Sequence, residues 1–134
     1  MALPNGAGGY QLGDGNLNEA TLGVQAIPTA YTAGATLTVL DLEQGIIVYT
    51  ASGNNNLALP AVTGASGVDA EISSAKVGSC FDISLVCTST GVGTLTVGTG
   101  WTLVGSGAGV ASKSVLFRAV KTGDGTYSLY RIAG

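Results

Sequence analysis

The chain contains no histidine. That absence removes the commonest general base and the commonest metal ligand. Of the eight carboxylates, two pairs have close spacing: Asp41 with Glu43, and Asp69 with Glu71. Paired carboxylates can run glycoside hydrolysis. Both pairs fall in segments that read as turns or short helices, where solvated side chains account for them. Gly105, Gly107 and Gly109 could open a phosphate-cradling loop, but Val110 breaks the dinucleotide spacing and no Lys-Ser/Thr completes a P-loop. Gly13-Asp14-Gly15-Asn16 lacks the alternating ligands and terminal Glu of a calcium loop. Trp101, Tyr127 and Tyr130 could form a sugar-stacking platform, although a lone Trp in TGWTLVG also reads as core or interface. No catalytic residue, metal or cofactor is therefore expected, and the chain is not expected to be an enzyme.

Cys80 and Cys87 lie seven residues apart in one expected strand. An odd offset places them on opposite faces, roughly 23 Å apart at strand rise. A disulfide needs Cα atoms within about 7 Å, so the two thiols are expected to stay free.

The element that dominates the chain is its closing hairpin. SVLFRAVKT and TYSLYRIA are rich in β-branched and aromatic residues, and Gly123, Asp124 and Gly125 close the turn between them. Val115, Phe117 and Ala119 share one face, and Leu116, Arg118 and Val120 the other. Neither face is purely polar, which implies cover on both: the domain's own core on one side, a second sheet or a neighbouring subunit on the other.

Upstream, residues 1–20 read as an extended arm. Glycine and Asn-Gly interrupt any period, yet Leu3, Pro4, Tyr10, Leu12 and Leu17 are spaced through it. The arm either docks on a partner through these anchors, folds back on its own domain, or is a flexible terminus. Thr21–Ile27 and Thr36–Leu40 read as strands. Asp41–Gly45 reads as a helical turn with Asp41 as N-cap and Gly45 as stop. Ile46–Thr50 reads as a central strand, and Leu57–Leu59 as a short one. Val68–Ser74 has helical spacing. Ser79–Thr88, Thr94–Val97 and Trp101–Val104 are strands. About eight or nine short strands at roughly ten-residue spacing predict an all-β fold, a β-sandwich of jelly-roll type with one short helix. The expected organisation is an arm at 1–20 followed by a single β-sandwich domain at 21–134. No strict internal repeat is visible.

Composition narrows the function. The net charge is −3 and the five basic residues are scattered, so the electrostatic attraction that drives nucleic-acid binding is missing. No window approaches the roughly 18 apolar residues that span a bilayer, and MALPNGAGG has no basic n-region, so neither membrane insertion nor export is expected. Only 10% of residues are charged. Charges keep surfaces solvated and edges unpaired, so part of this surface is either covered by partners or polar through Thr, Ser and Asn.

MALPNGAGGYQLGDGN, LTVLDLEQGIIVYT, NNNLALP, AKVGSCFDISLVC, GTGWTLVGSG and FRAVKTGDGTYSLYRI, taken in order, resemble small head proteins of tailed bacteriophages: the capsid decoration, cement or head-fibre-like proteins found in cyanophages among others. The resemblance spans nearly the whole chain. It implies a structural virion protein, made in the host cytoplasm, that sits as a homotrimer on the outer surface of an icosahedral shell. There it would bridge major capsid subunits of the HK97 type and cement them against the pressure of packaged DNA. On that reading Leu3, Pro4, Tyr10 and Leu12 are the capsid-binding arm. Arg118 and Arg131 are trimer or capsid contacts, or else exposed solubilising charges. The alternative function is a glycan- or receptor-binding module of a phage fibre or tail.

Overall fold

The computed structural model describes residues 22–134. The expected arm at 1–20, with Leu3, Pro4, Tyr10 and Leu12, lies outside the described residues. Residues 22–29 carry no strand, against the strand expected at Thr21–Ile27. The first strands are the short β1 (Ala30–Tyr31) and β2 (Ala35–Thr36).

The run expected as a strand at Thr36–Leu40 turns into helix α1 (Val39–Gln44). The reason is a capping box. Thr38 Oγ1 accepts the Asp41 N–H at 3.2 Å, and Asp41 Oδ2 accepts the Thr38 N–H at 2.9 Å. Thr38, not Asp41, is thus the N-cap, and two otherwise unpaired backbone donors are satisfied. Gly45 ends the helix at φ 78°, a left-handed conformation that costs glycine little. β3 (Ile46–Tyr49), β4 (Asn55–Ala58), a second helix α2 (Val68–Glu71), β5 (Cys80–Cys87), β6 (Gly93–Thr96), β7 (Trp101–Val104), β8 (Ser114–Gly123) and β9 (Thr126–Ala133) follow.

The strands form a six-stranded sheet in the order β1-β3-β5-β8-β9-β7 and a three-stranded sheet in the order β2-β4-β6. The small sheet is parallel throughout, and so are β1–β3, β3–β5 and β7–β9. Among the paired strands of the described residues, only β5–β8 and β8–β9 are antiparallel. This overturns the expected all-β sandwich or jelly roll, which is built from antiparallel neighbours. Among the described residues two short helices stand where one was expected. From β1 to β6 the chain alternates between the sheets, and each strand stacks parallel on the one two places earlier, in the manner of a short solenoid. The closing hairpin β8–β9 then inserts between β5 and β7.

Stacking in register builds the core. Tyr31, Tyr49 and Cys87 are neighbours in the large sheet, and Ala35, Leu57 and Leu95 in the small one. Both rows feed one buried cluster with Ile83, Leu85, Phe117 and Leu129. Each such fully buried large side chain contributes about 1.5–3 kcal/mol from apolar area removed from water. The sheets approach so closely that a Cβ on Gly93 of β6 would sit 2.9 Å from Tyr49 Cγ on β3. Cys80 is exposed, Cys87 is buried and both are free, as the odd spacing requires.

Candidate functional site

The alternation of the long strands divides the large sheet into two chemically different faces. Val115, Phe117 and Ala119 of β8 are buried, while Leu116, Arg118 and Val120 turn outward. Register carries the outward rows across the sheet. Asp82, Arg118, Tyr130 and Val104 lie side by side on β5, β8, β9 and β7. Ile46, Ser84 and Leu116 form a second row, and Val48 and Val86 sit in a third. The outer face is therefore mostly apolar and half-buried to exposed, with Val104 46% accessible.

One ion pair crosses this face. Arg118 Nε donates to Asp82 Oδ1 at 2.7 Å and Nη2 donates to Oδ2 at 3.2 Å, a bidentate pair between directly paired strand residues. The arginine hydrogen bond holds the Asp82 carboxyl below the usual aspartate range. Both side chains remain nearly half exposed, so the pair contributes little to the fold and is available to a partner.

Arg131 has a different role. It lies on the core side of β9, opposite Phe117, with its guanidinium 6.0 Å from the Phe117 ring centroid. Its Nη1 donates to the carbonyls of Ser106 (2.9 Å) and Ala108 (2.5 Å), and its Nε to that of Gly134 (3.3 Å). These bonds clamp the loop between β7 and β8 to the end of the chain. The two arginines grouped in the sequence reading thus sit on opposite faces.

The aromatic platform is not at the surface. Trp101 is 7% exposed and its indole N–H donates to the Pro60 carbonyl at 2.7 Å. Tyr127 is 1% exposed and packs 5.3 Å from Trp101, centroid to centroid. Only Tyr130 of the three is even partly accessible, on the outer face. Both carboxylate pairs are divided. Asp41 is buried in the helix cap and Asp69 is bonded to Lys121, while Glu43 and Glu71 face solvent. Among the described residues no group of three or more acidic or cysteine side chains is placed to hold a metal, and no helix is long and apolar enough to cross a membrane.

Residues 22–27 form no strand and leave their apolar side chains exposed. Leu22, Val24 and Ile27 are 88%, 103% and 90% exposed. The segment is tethered beside α1, where the Gln25 side-chain amide donates to the Gln44 carbonyl at 2.6 Å. Alternating apolar residues ahead of Pro28 suggested a strand, but no strand among the described residues pairs with it. The signal was real; it marks apolar side chains that the described fold leaves uncovered.

No protein-family model, curated protein or solved structure matches this chain.

Proposed function

We propose that this chain is a structural virion protein that decorates and stabilises an icosahedral phage capsid, binding the outer surface of the major capsid protein as a homotrimer. The observation that carries this reading is the exposed run Leu22, Val24 and Ile27, which continues the anchor residues spaced through the first twenty positions of the sequence. Burying one such side chain at a partner gains about 1.5–3 kcal/mol, and that gain repeats at every copy around a shell. A protein that binds only the assembled shell stabilises it by mass action, about 2.7 kcal/mol per site at a hundredfold excess over Kd. The mostly apolar outer face of the large sheet, with Arg118 and Asp82 crossing it, is the second contact surface and the one assigned to the trimer. The resemblance to phage decoration proteins supplies the partner. The glycan-binding alternative loses its main support, because Trp101 and Tyr127 are committed to the core.

The test is co-sedimentation with matching phage shells stripped of this protein. Saturable binding that raises the shell melting temperature is expected, and replacing Leu22, Val24 and Ile27 together by Ser should abolish it with the circular dichroism spectrum unchanged. Absence of binding at every salt concentration would overturn the reading. Glycan-dependent binding without shell binding would replace it with the fibre-module alternative.

A further inference from the structure

A cleft of about 530 Å³ opens between α1, the turn that follows α2, and the start of β5. Its size falls within the roughly 300–1,000 Å³ of small-molecule sites. Its floor is apolar: Leu42, Ile72, Phe81 and Tyr127. Phe81 and Tyr127 meet at a tilt, with ring centroids 6.2 Å apart. Its rim is acidic, with Glu43 and Glu71 both exposed. Neither is in an ion pair among the described residues. No lysine or arginine lines the cleft. The ammonium of Lys121 lies 5.9 Å from the Tyr127 ring centroid, but Asp69 holds it at 2.7 Å.

Tyr127 supplies the second observation. The residue is 1% exposed, it lines the cleft, and its hydroxyl is buried with no hydrogen-bond partner among the described residues. A buried polar group without a partner is costly, and native structures keep few of them. Burial also pushes its ionisation up, so the phenol stays neutral and its hydroxyl can accept one hydrogen bond and donate another.

We propose that this cleft binds an organic cation, an ammonium or guanidinium carried on an apolar body. The rim offers carboxylates and the serine hydroxyls of the following turn, the floor offers the part-exposed Ile72 and Phe81 over the buried Leu42 and Tyr127, and the Tyr127 oxygen gains the donor it lacks. An anion would meet the like charge of Glu43 and Glu71, with no lysine or arginine in the lining to offset it. The shared chemistry has two sources, a free amine or the basic side chain of another protein. The site is independent of the capsid reading and stands or falls without it.

The test uses the full chain and two probes, phenethylamine and the dipeptide N-acetyl-phenylalanyl-arginine amide, with phenethyl alcohol as the uncharged control. Binding is followed by amide chemical shifts of Ile72 and Phe81. Protection of Cys80 from alkylation is a second readout, since Cys80 is exposed on the rim and Cys87 is buried. Saturable binding of at least one cation is expected, weakened by salt, with the alcohol at least about tenfold weaker because it carries no charge to pair with the rim. Tighter binding of the amine identifies a free small molecule, and tighter binding of the dipeptide a protein side chain. Tyr127→Phe should leave the melting temperature unchanged or raised while weakening the cation about fivefold, the worth of one hydrogen bond. The double variant Glu43→Gln/Glu71→Gln, on the surface, should weaken it further. No saturable shift at millimolar probe, equal binding of the alcohol, or unchanged affinity in both the folded Tyr127→Phe protein and the double variant would overturn the proposal.

Discussion

Lys121 on β8 and Asp69 on α2 meet at 2.7 Å, and the second oxygen of the same carboxylate accepts the Gly125 N–H at 2.8 Å. One side chain thereby joins the helix to both the last inward position of β8 and the turn of the closing hairpin. Asp69→Ala should lower stability by about 1.5 kcal/mol in urea unfolding, because a charge-assisted bond and a turn bond go together. The Lys121 hydrogen bond holds the Asp69 carboxyl below the usual aspartate range. Its stabilising effect is therefore fully present above pH ~4 and is lost as pH falls through the lowered value. Acid titration of the urea midpoint should be flatter in Asp69→Ala than in the parent. Asp82→Ala should leave the neutral-pH midpoint unchanged, since that carboxylate is nearly half exposed and screened.

Tyr31 governs the alkaline side. Its hydroxyl donates to Asp41 Oδ2 at 2.5 Å, and burial, followed by that bond and the Asp41 charge, pushes its ionisation from 10.0 up to about 12. A raised value means that the stabilisation is intact below pH 10.0 and is lost as pH climbs through about 12. Tyr31→Phe should cost about 1.5 kcal/mol at neutral pH, the worth of a hydrogen bond to a charged group. The difference from the parent should shrink as the parent's phenol ionises. A difference that stays constant to high pH would show that Tyr31 is not the group responsible.

Gly93 is required by Tyr49. The Tyr49 ring is completely buried, and its hydroxyl donates to the Gly53 carbonyl and accepts from Asn55 Nδ2, so it cannot swing away. A Cβ at position 93 would meet Tyr49 Cγ at 2.9 Å. Gly93→Ala should cost about 1–3 kcal/mol by overpacking. Combining it with Tyr49→Leu should cost less than the sum of the single changes, a coupling that a double-mutant cycle measures.

Arg131→Ala should loosen the β7–β8 loop without touching the sheet. The guanidinium holds the Ser106 and Ala108 carbonyls, and the neighbouring Gly109 N–H donates to the Gly93 carbonyl at 2.9 Å. Hydrogen exchange at Gly109 should rise roughly tenfold, while Leu129 in mid-strand stays protected. Arg131→Lys should not restore protection, because an ammonium lacks the planar fork that reaches several carbonyls at once.

Much of the local structure was legible in the sequence. The closing hairpin, the inward set Val115, Phe117 and Ala119, the opposite faces of Cys80 and Cys87, and the stop at Gly45 all follow from two-residue alternation and from glycine's access to left-handed backbone. The start of α1 was misplaced by three residues. TLTVL alternates like a strand, but the Thr38–Asp41 bonds make a better local bargain for the backbone. Of the candidate site, Arg118 could be placed on an outward face from alternation alone. That Arg131 clamps a loop could not, because Ser106 and Ala108 are distant in sequence and meet it only after β7 and β9 pair.

Local sequence determined where most strands form, which side chains turn inward, and that no histidine is present to do chemistry. Tertiary structure alone decided that most neighbouring strands run parallel. Side-chain alternation is identical in parallel and antiparallel strands, so it carries no information on direction. The solenoid rhythm is hidden as well, because successive coils differ in length: β1, β3 and β5 begin at Ala30, Ile46 and Cys80, so no fixed period shows. The uncovered positions Leu22, Val24 and Ile27 and the unpartnered Tyr127 hydroxyl were likewise decided in three dimensions. Whether an apolar or polar group finds a partner depends on what the fold brings beside it, and no local pattern records that.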